Sequence, residues 1–207
     1  MILRQIFIKA KKNNPGFYVD IGAHHPKRYS NTYFFYKKGW QGINVDAMPG
    51  SMSIFNKLRP RDINIELPVS NKSELLTYYS FSEPAVNGFS ESLSKERSDS
   101  GDYKLISKKQ IKTTTLKNIL DDRLPKGKEI DFLSIDVEGL DLAVLQSNDF
   151  SKYRPKVIIV EILENNFSII GESEVSEYLV KNAYTIYGKS VNSVIFIEND
   201  FLDTMIL

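Results

Sequence analysis

The stretch Phe17-Tyr18-Val19-Asp20-Ile21-Gly22-Ala23-His24 decides the fold. Its first five residues favour a strand, and a glycine stops them in a tight turn. Further along, short apolar runs alternate with helical periodicity. This predicts an α/β fold, a mostly parallel sheet with helices on both faces. Gly42–Asp46 reads as a second strand and Ile63–Val69 as a third, placed near an edge or strand end by Pro68. Asp131–Asp136 and Val157–Glu161 follow; the latter is almost wholly apolar, as a strand buried on both faces should be. Tyr184–Tyr187 and Ser193–Ile197 close the set, as a hairpin through Gly188. Helices are expected at Ser30–Lys38, Ser51–Leu58, Thr115–Asp122, Asp141–Gln146 and Val175–Asn182, with an amphipathic one over Met1–Lys12.

The composition narrows the chemistry. The 207 residues make one domain, long enough to bury about 70% of the extended surface. Lys+Arg 27 against Asp+Glu 26 gives +1, so no bulk charge draws the chain to nucleic acid or to an anionic membrane. Cysteine is absent, which removes disulfides, thiol nucleophiles and thiolate metal sites. The longest apolar runs fall far short of a membrane span, and the N-terminus has no signal-peptide pattern; with the lack of cysteine, this points to the cytoplasm.

Carboxylates at strand ends carry the chemical signal. Asp20 precedes the Gly22 turn, where an open parallel sheet takes its ligands. Asp46 ends the next strand, where an acid accepts hydrogen bonds from a ribose; a glycine turn beside a solvent-facing acid would give the same letters. The loop Gly22-Ala23-His24 lacks the further glycines of a dinucleotide site, which disfavours a nucleotide-dependent oxidoreductase or epimerase. Asp136, Glu138 and Glu161 gather at neighbouring strand ends, with Gly139 turning the chain into a helix. Like charges so placed repel and call for a counter-ion: a cationic ligand, a lysine or a metal. Their oxygens would favour magnesium over zinc. His24 and His25 are the only histidines and cannot make a zinc site alone. Ser30-Asn31-Thr32 begins a helix and offers backbone N–H groups to a carboxylate, or simply caps it. Tyr78–Lys112 breaks the pattern with serine, charge and isolated aromatics, and reads as an irregular lid or binding loop.

Taken together, Asp20–Pro26, Tyr29–Thr32, Gly39–Asp46, Thr114–Leu116, Phe132–Gly139, Val144-Leu145 and Pro155–Glu161 resemble the FkbM-type family of class I S-adenosylmethionine-dependent methyltransferases. The resemblance implies a Rossmann-like seven-stranded sheet with its last strand antiparallel and the cofactor over the first two strands. Asp20, Gly22 and Ala23 would hold the methionine end, and Ser30, Asn31 and Thr32 are further cofactor-binding candidates. Asp46 and Ala47 would lie at the ribose, Val69 and Ser70 near the adenine, and Asp136 near the methionine amino group or the methyl. His24 stands where the commoner methyltransferase loop has a second glycine. The expected reaction is O-methylation of a hydroxyl on a sugar or glycosylated natural product. Glu138, Asp136 and Glu161 are the candidate bases or, alternatively, metal ligands, with His24 a weaker choice. The 78–112 segment would hold the acceptor, its aromatics against a sugar ring and its lysines on any phosphate. A methyltransferase-like binding protein without turnover is the alternative.

Overall fold

A computed structural model describes residues 2–10 and 14–206. Seven strands form one sheet in the order β3-β2-β1-β6-β7-β9-β8. They are β1 (Phe17–Ile21), β2 (Gln41–Asp46), β3 (Ile63–Glu66), β6 (Phe132–Ile135), β7 (Val157–Glu161), β8 (Tyr184–Ser190) and β9 (Ser193–Glu198). β1, β2, β3, β6 and β7 pair in parallel, and β9 runs antiparallel between β7 and β8. β3 lies at the edge and is shorter than the expected Ile63–Val69, stopping at Glu66 before Pro68.

Every residue of β1 is buried, because both faces of the sheet are covered. On one face, α1 (Ile2–Lys9), α2 (Tyr33–Lys37) and α9 (Asn199–Ile206) pack Ile6, Phe7, Phe35 and Phe201 against Phe132, Ile159 and Ile195. On the other, α5 (Leu116–Arg123), α6 (Asp141–Gln146), α7 (Phe167–Gly171) and α8 (Glu174–Lys181) pack Leu116, Leu145, Ile170 and Leu179 against Val19, Leu133 and Ile158. α3 (Ser51–Leu58) joins β2 to β3. Of the helix expected over Met1–Lys12, Met1, Lys11 and Lys12 lie outside the described residues.

α2 is shorter than expected. The Ser30 hydroxyl accepts the N–H of Thr32 and of Tyr33, which holds the preceding residues in a turn, and Gly39 at φ 87° ends the helix segment.

The stretch expected to be irregular is ordered. β4 (Leu75–Phe81) pairs antiparallel with β5 (Leu105–Lys112), and between them stand a 3-10 turn at Pro84–Val86 and α4 (Glu91–Ser100). The signals are local. The Ser90 hydroxyl accepts Leu93 N–H at the start of α4, and Gly101 at φ 77° stops it. The excursion is joined at its base: Ser70 N–H donates to Thr114 O, and Thr114 N–H to Pro68 O.

Candidate active site

Register sets the site. Asp20 pairs across to Asn44 on one side and Ser134 on the other, and Ser134 to Ile159. Two residues further along their strands come Asp46, Asp136 and Glu161. Strand alternation therefore puts Asp20, Asp46, Asp136 and Glu161 on one face, at the carboxyl ends. These ends flank the β1/β6 junction, where the order of connection reverses and open α/β sheets bind ligands.

A hollow of about 590 Å³ opens there. Its floor is Asp20–His24, Val45–Met48, Ser134 and Asp136–Glu138, and its walls are Leu67–Val69, Pro84–Phe89 and the β8–β9 turn at Ser190–Ser193. Of the expected cofactor residues, Asp20, Gly22, Ala23, Ser30, Asn31, Asp46, Ala47, Val69 and Asp136 line it. So do all four candidate catalytic residues, His24, Asp136, Glu138 and Glu161. Thr32 and Ser70 do not: Thr32 is buried between Asp20 and Arg59, and Ser70 is buried at the base of the hairpin.

Five non-glycine residues among those described have left-handed φ, and four of them line the hollow: His24, Tyr29, Glu138 and Val191, at 49° to 55°. Strain of this kind concentrates at functional sites. Gly22 sits at φ 82°, and a Cβ there would lie 1.7 Å from the Asp136 carbonyl oxygen. The glycine is thus required by the neighbouring strand end, before any ligand is considered.

Asp46 holds the rim together. Its two oxygens accept the N–H groups of His24 and Met48, each at 2.8 Å, leaving further lone pairs for a ligand hydroxyl. Burial pushes its carboxyl up, against those two bonds. His25, not His24, organises the loop with its ring: its Nδ1 accepts N–H groups of Lys27 and Arg28 at 3.0 Å.

Glu138 is not free. Arg97, from α4, donates to its carboxylate and, at 2.8 Å, to Val86 O. Arg97, where a lysine was the side chain expected, is a cation paired with the acidic cluster. Its sequence signal was weak, one arginine in a serine-rich charged helix. Asp136 opens onto the hollow and its side chain has no hydrogen-bond partner among the described residues. Enclosure in the hollow, then the charges of Glu161, Glu138, Asp141 and Asp20, push it up to about 8. Glu161 is raised too, by burial and by Glu138, and Asn192 Nδ2 donates to it at 3.4 Å. Asp136, Glu138 and Glu161 each offer an oxygen within 4.8 Å of the others, a spacing a divalent cation could draw together.

Arg59 also escaped the sequence reading. It is fully buried among Tyr33, Tyr36 and Phe55, with ring centroids 5.5–5.6 Å away. It donates to Pro26 O, Ser30 Oγ and Thr32 Oγ1 at 2.8, 2.7 and 2.6 Å. Thr32 in turn donates to Asp20 at 2.8 Å, so one guanidinium ties the 26–32 loop to the first strand. Burial raises the Asp20 carboxyl; the Thr32 hydroxyl and Arg59 oppose that.

The sheet order, the antiparallel β9 and a ligand-sized hollow over the β1 glycine turn define a Rossmann-like methyltransferase fold. A profile of the FkbM methyltransferase domain matches residues 20–186. The chain belongs to the FkbM methyltransferase family. A comparison with curated proteins gives no match.

Proposed function

We propose that the protein transfers a methyl group from S-adenosylmethionine to a hydroxyl of a sugar or a glycosylated natural product. One observation carries this reading: in a methyltransferase-family chain, Asp46 and Asp136 face one hollow from either side of the β1 turn. An acid at each position suits a molecule with ribose hydroxyls at one end and positive charge at the other.

S-adenosylmethionine supplies a methyl group on a positively charged sulfur. The chain's part is to bind, align and take a proton. Asp46 accepts the ribose hydroxyls, and Gly22 and Ala23 keep the floor low beside it. Asp136 attracts the cationic end in its ionised form, which the cation in turn favours. Alignment of the hydroxyl with the methyl supplies most of the rate. Asp136, ionised, would take the proton that the acceptor hydroxyl gives up when it is methylated. Asp136 suits this role better than Glu138, because its proton affinity lies near neutrality while Arg97 engages Glu138. Tyr78 and Phe89, with ring centroids 5.0 Å apart, give the acceptor side an aromatic wall. Arg97 supplies positive charge at the acidic trio, so this reading assigns no ion there. Transfer that chelation abolishes and magnesium restores would replace the base with a metal.

The test is calorimetry with S-adenosylmethionine and its demethylated product, followed by labelled-methyl transfer to a saccharide panel. Binding of both, with label on an oxygen of a saccharide, supports the reading. Absence of binding overturns it.

A further inference from the structure

The hollow defines the site, and its charge decides what can enter. Five carboxylates line it, Asp20, Asp46, Asp136, Glu138 and Glu161, and among the described residues no lysine or arginine does. The cations beside it are engaged: Arg97 with Glu138 and Val86 O, Arg59 with Ser30, and Lys189 with Ile162 O. Lys104, Lys108, Lys109 and Lys112 of the hairpin are exposed, and none of them lines the hollow. His24 is the only other lining residue that can carry positive charge, and it stands beside Asp46, at the far end from Glu161.

On the reading above, the methyl donor brings two positive groups and one carboxylate, a single net charge. That leaves the acceptor side negative. Among the described residues no cation is bonded to Glu161, though the Arg97 charge acts on it; its side-chain partner is the Asn192 amide. Val191, in the adjoining turn, is 84% exposed and holds a strained left-handed backbone at the mouth. The two Ser residues of that turn and Asn192 offer neutral polar contacts around Glu161.

We infer that the acceptor carries a protonated amine close to the hydroxyl it presents, with Glu161 as the carboxylate that receives it, and that anionic acceptors are turned away. This rests on the proposed function, whose cofactor test is run separately. An ammonium beside a half-buried carboxylate gains Coulomb attraction that a neutral group lacks.

The test titrates protein saturated with S-adenosylhomocysteine, by calorimetry, with three forms of one ring: glucosamine, N-acetylglucosamine and glucuronate. Glucosamine is expected to bind about tenfold tighter than either. In Glu161→Gln that margin should shrink to about unity, while affinity for S-adenosylhomocysteine stays close to that of the parent protein. Glucuronate binding as tightly as glucosamine, equal or absent binding of all three, or a margin that survives Glu161→Gln overturns the inference. Should the protein bind no adenosyl compound, the proposed function fails. The same titrations on the unloaded protein then decide the charge question by the same criteria.

Discussion

Asp136 illustrates how one side chain couples folding to chemistry. Its carboxyl is raised to about 8 in the fold, far above its value in an unfolded chain. The stability associated with its protonated form is complete below an ordinary aspartate's range and is lost as pH rises through about 8. Asp136→Asn removes that loss. The melting temperature of the variant should exceed the parent's by a margin that widens from about pH 4 to about pH 8 and then levels off, checked by calorimetric melts across pH. Methyl transfer in the same variant should fall to background. In the parent protein, affinity for S-adenosylmethionine should rise as pH passes through about 8, because the ionised carboxylate favours a cation; the variant should show a flat profile. Asp46→Ala removes an acceptor that serves two backbone N–H groups and, as proposed, the ribose. It should weaken S-adenosylmethionine binding by about 1–3 kcal/mol, read by titration calorimetry.

At the scale of elements, β1, β6 and β7 were legible because each buries both faces and so reads as an apolar run between turn residues. The hairpin was not. β5 is Leu-Ile-Ser-Lys-Lys-Gln-Ile-Lys, a strand with little apolar surface, held by its pairing with β4 rather than by its own composition. α4 is similarly polar, and only its Ser90 cap and Gly101 stop were visible locally. The acids at strand ends could be read from spacing; their partner Arg97 could not, because a contact between positions 97 and 138 leaves no trace in either neighbourhood. Arg97→Ala should release α4 from the β6 end. Amide hydrogen exchange should accelerate over residues 84–100 and remain unchanged in β1 and β6. Unaltered exchange in α4 would show that Leu93 and Ser90, packed near Gly139, hold the helix unaided.

The whole molecule rests on polar groups as well as on its two apolar layers. Arg59 links the 26–32 loop, α2 and, through Thr32, Asp20 of β1, and it lies 3.8 Å from Asp62. Nothing in the sequence around Arg59 marks it: it follows a short helix and precedes a proline, where an exposed arginine would look the same. Arg59→Met strands Asp20 and Asp62 as buried charges. It should cost about 3–5 kcal/mol in urea unfolding, well above the effect of removing any surface ion pair. The joined base of the hairpin has another consequence. Pro68, Ser70 and Thr114 bring departure and return to a single doorway, so everything between is a cassette hung on the sheet. A chimera that exchanges residues 71–112 for another hairpin of matched ends would keep the donor's seat while changing the guest admitted. Nature and the engineer can thus vary taste without rebuilding the house.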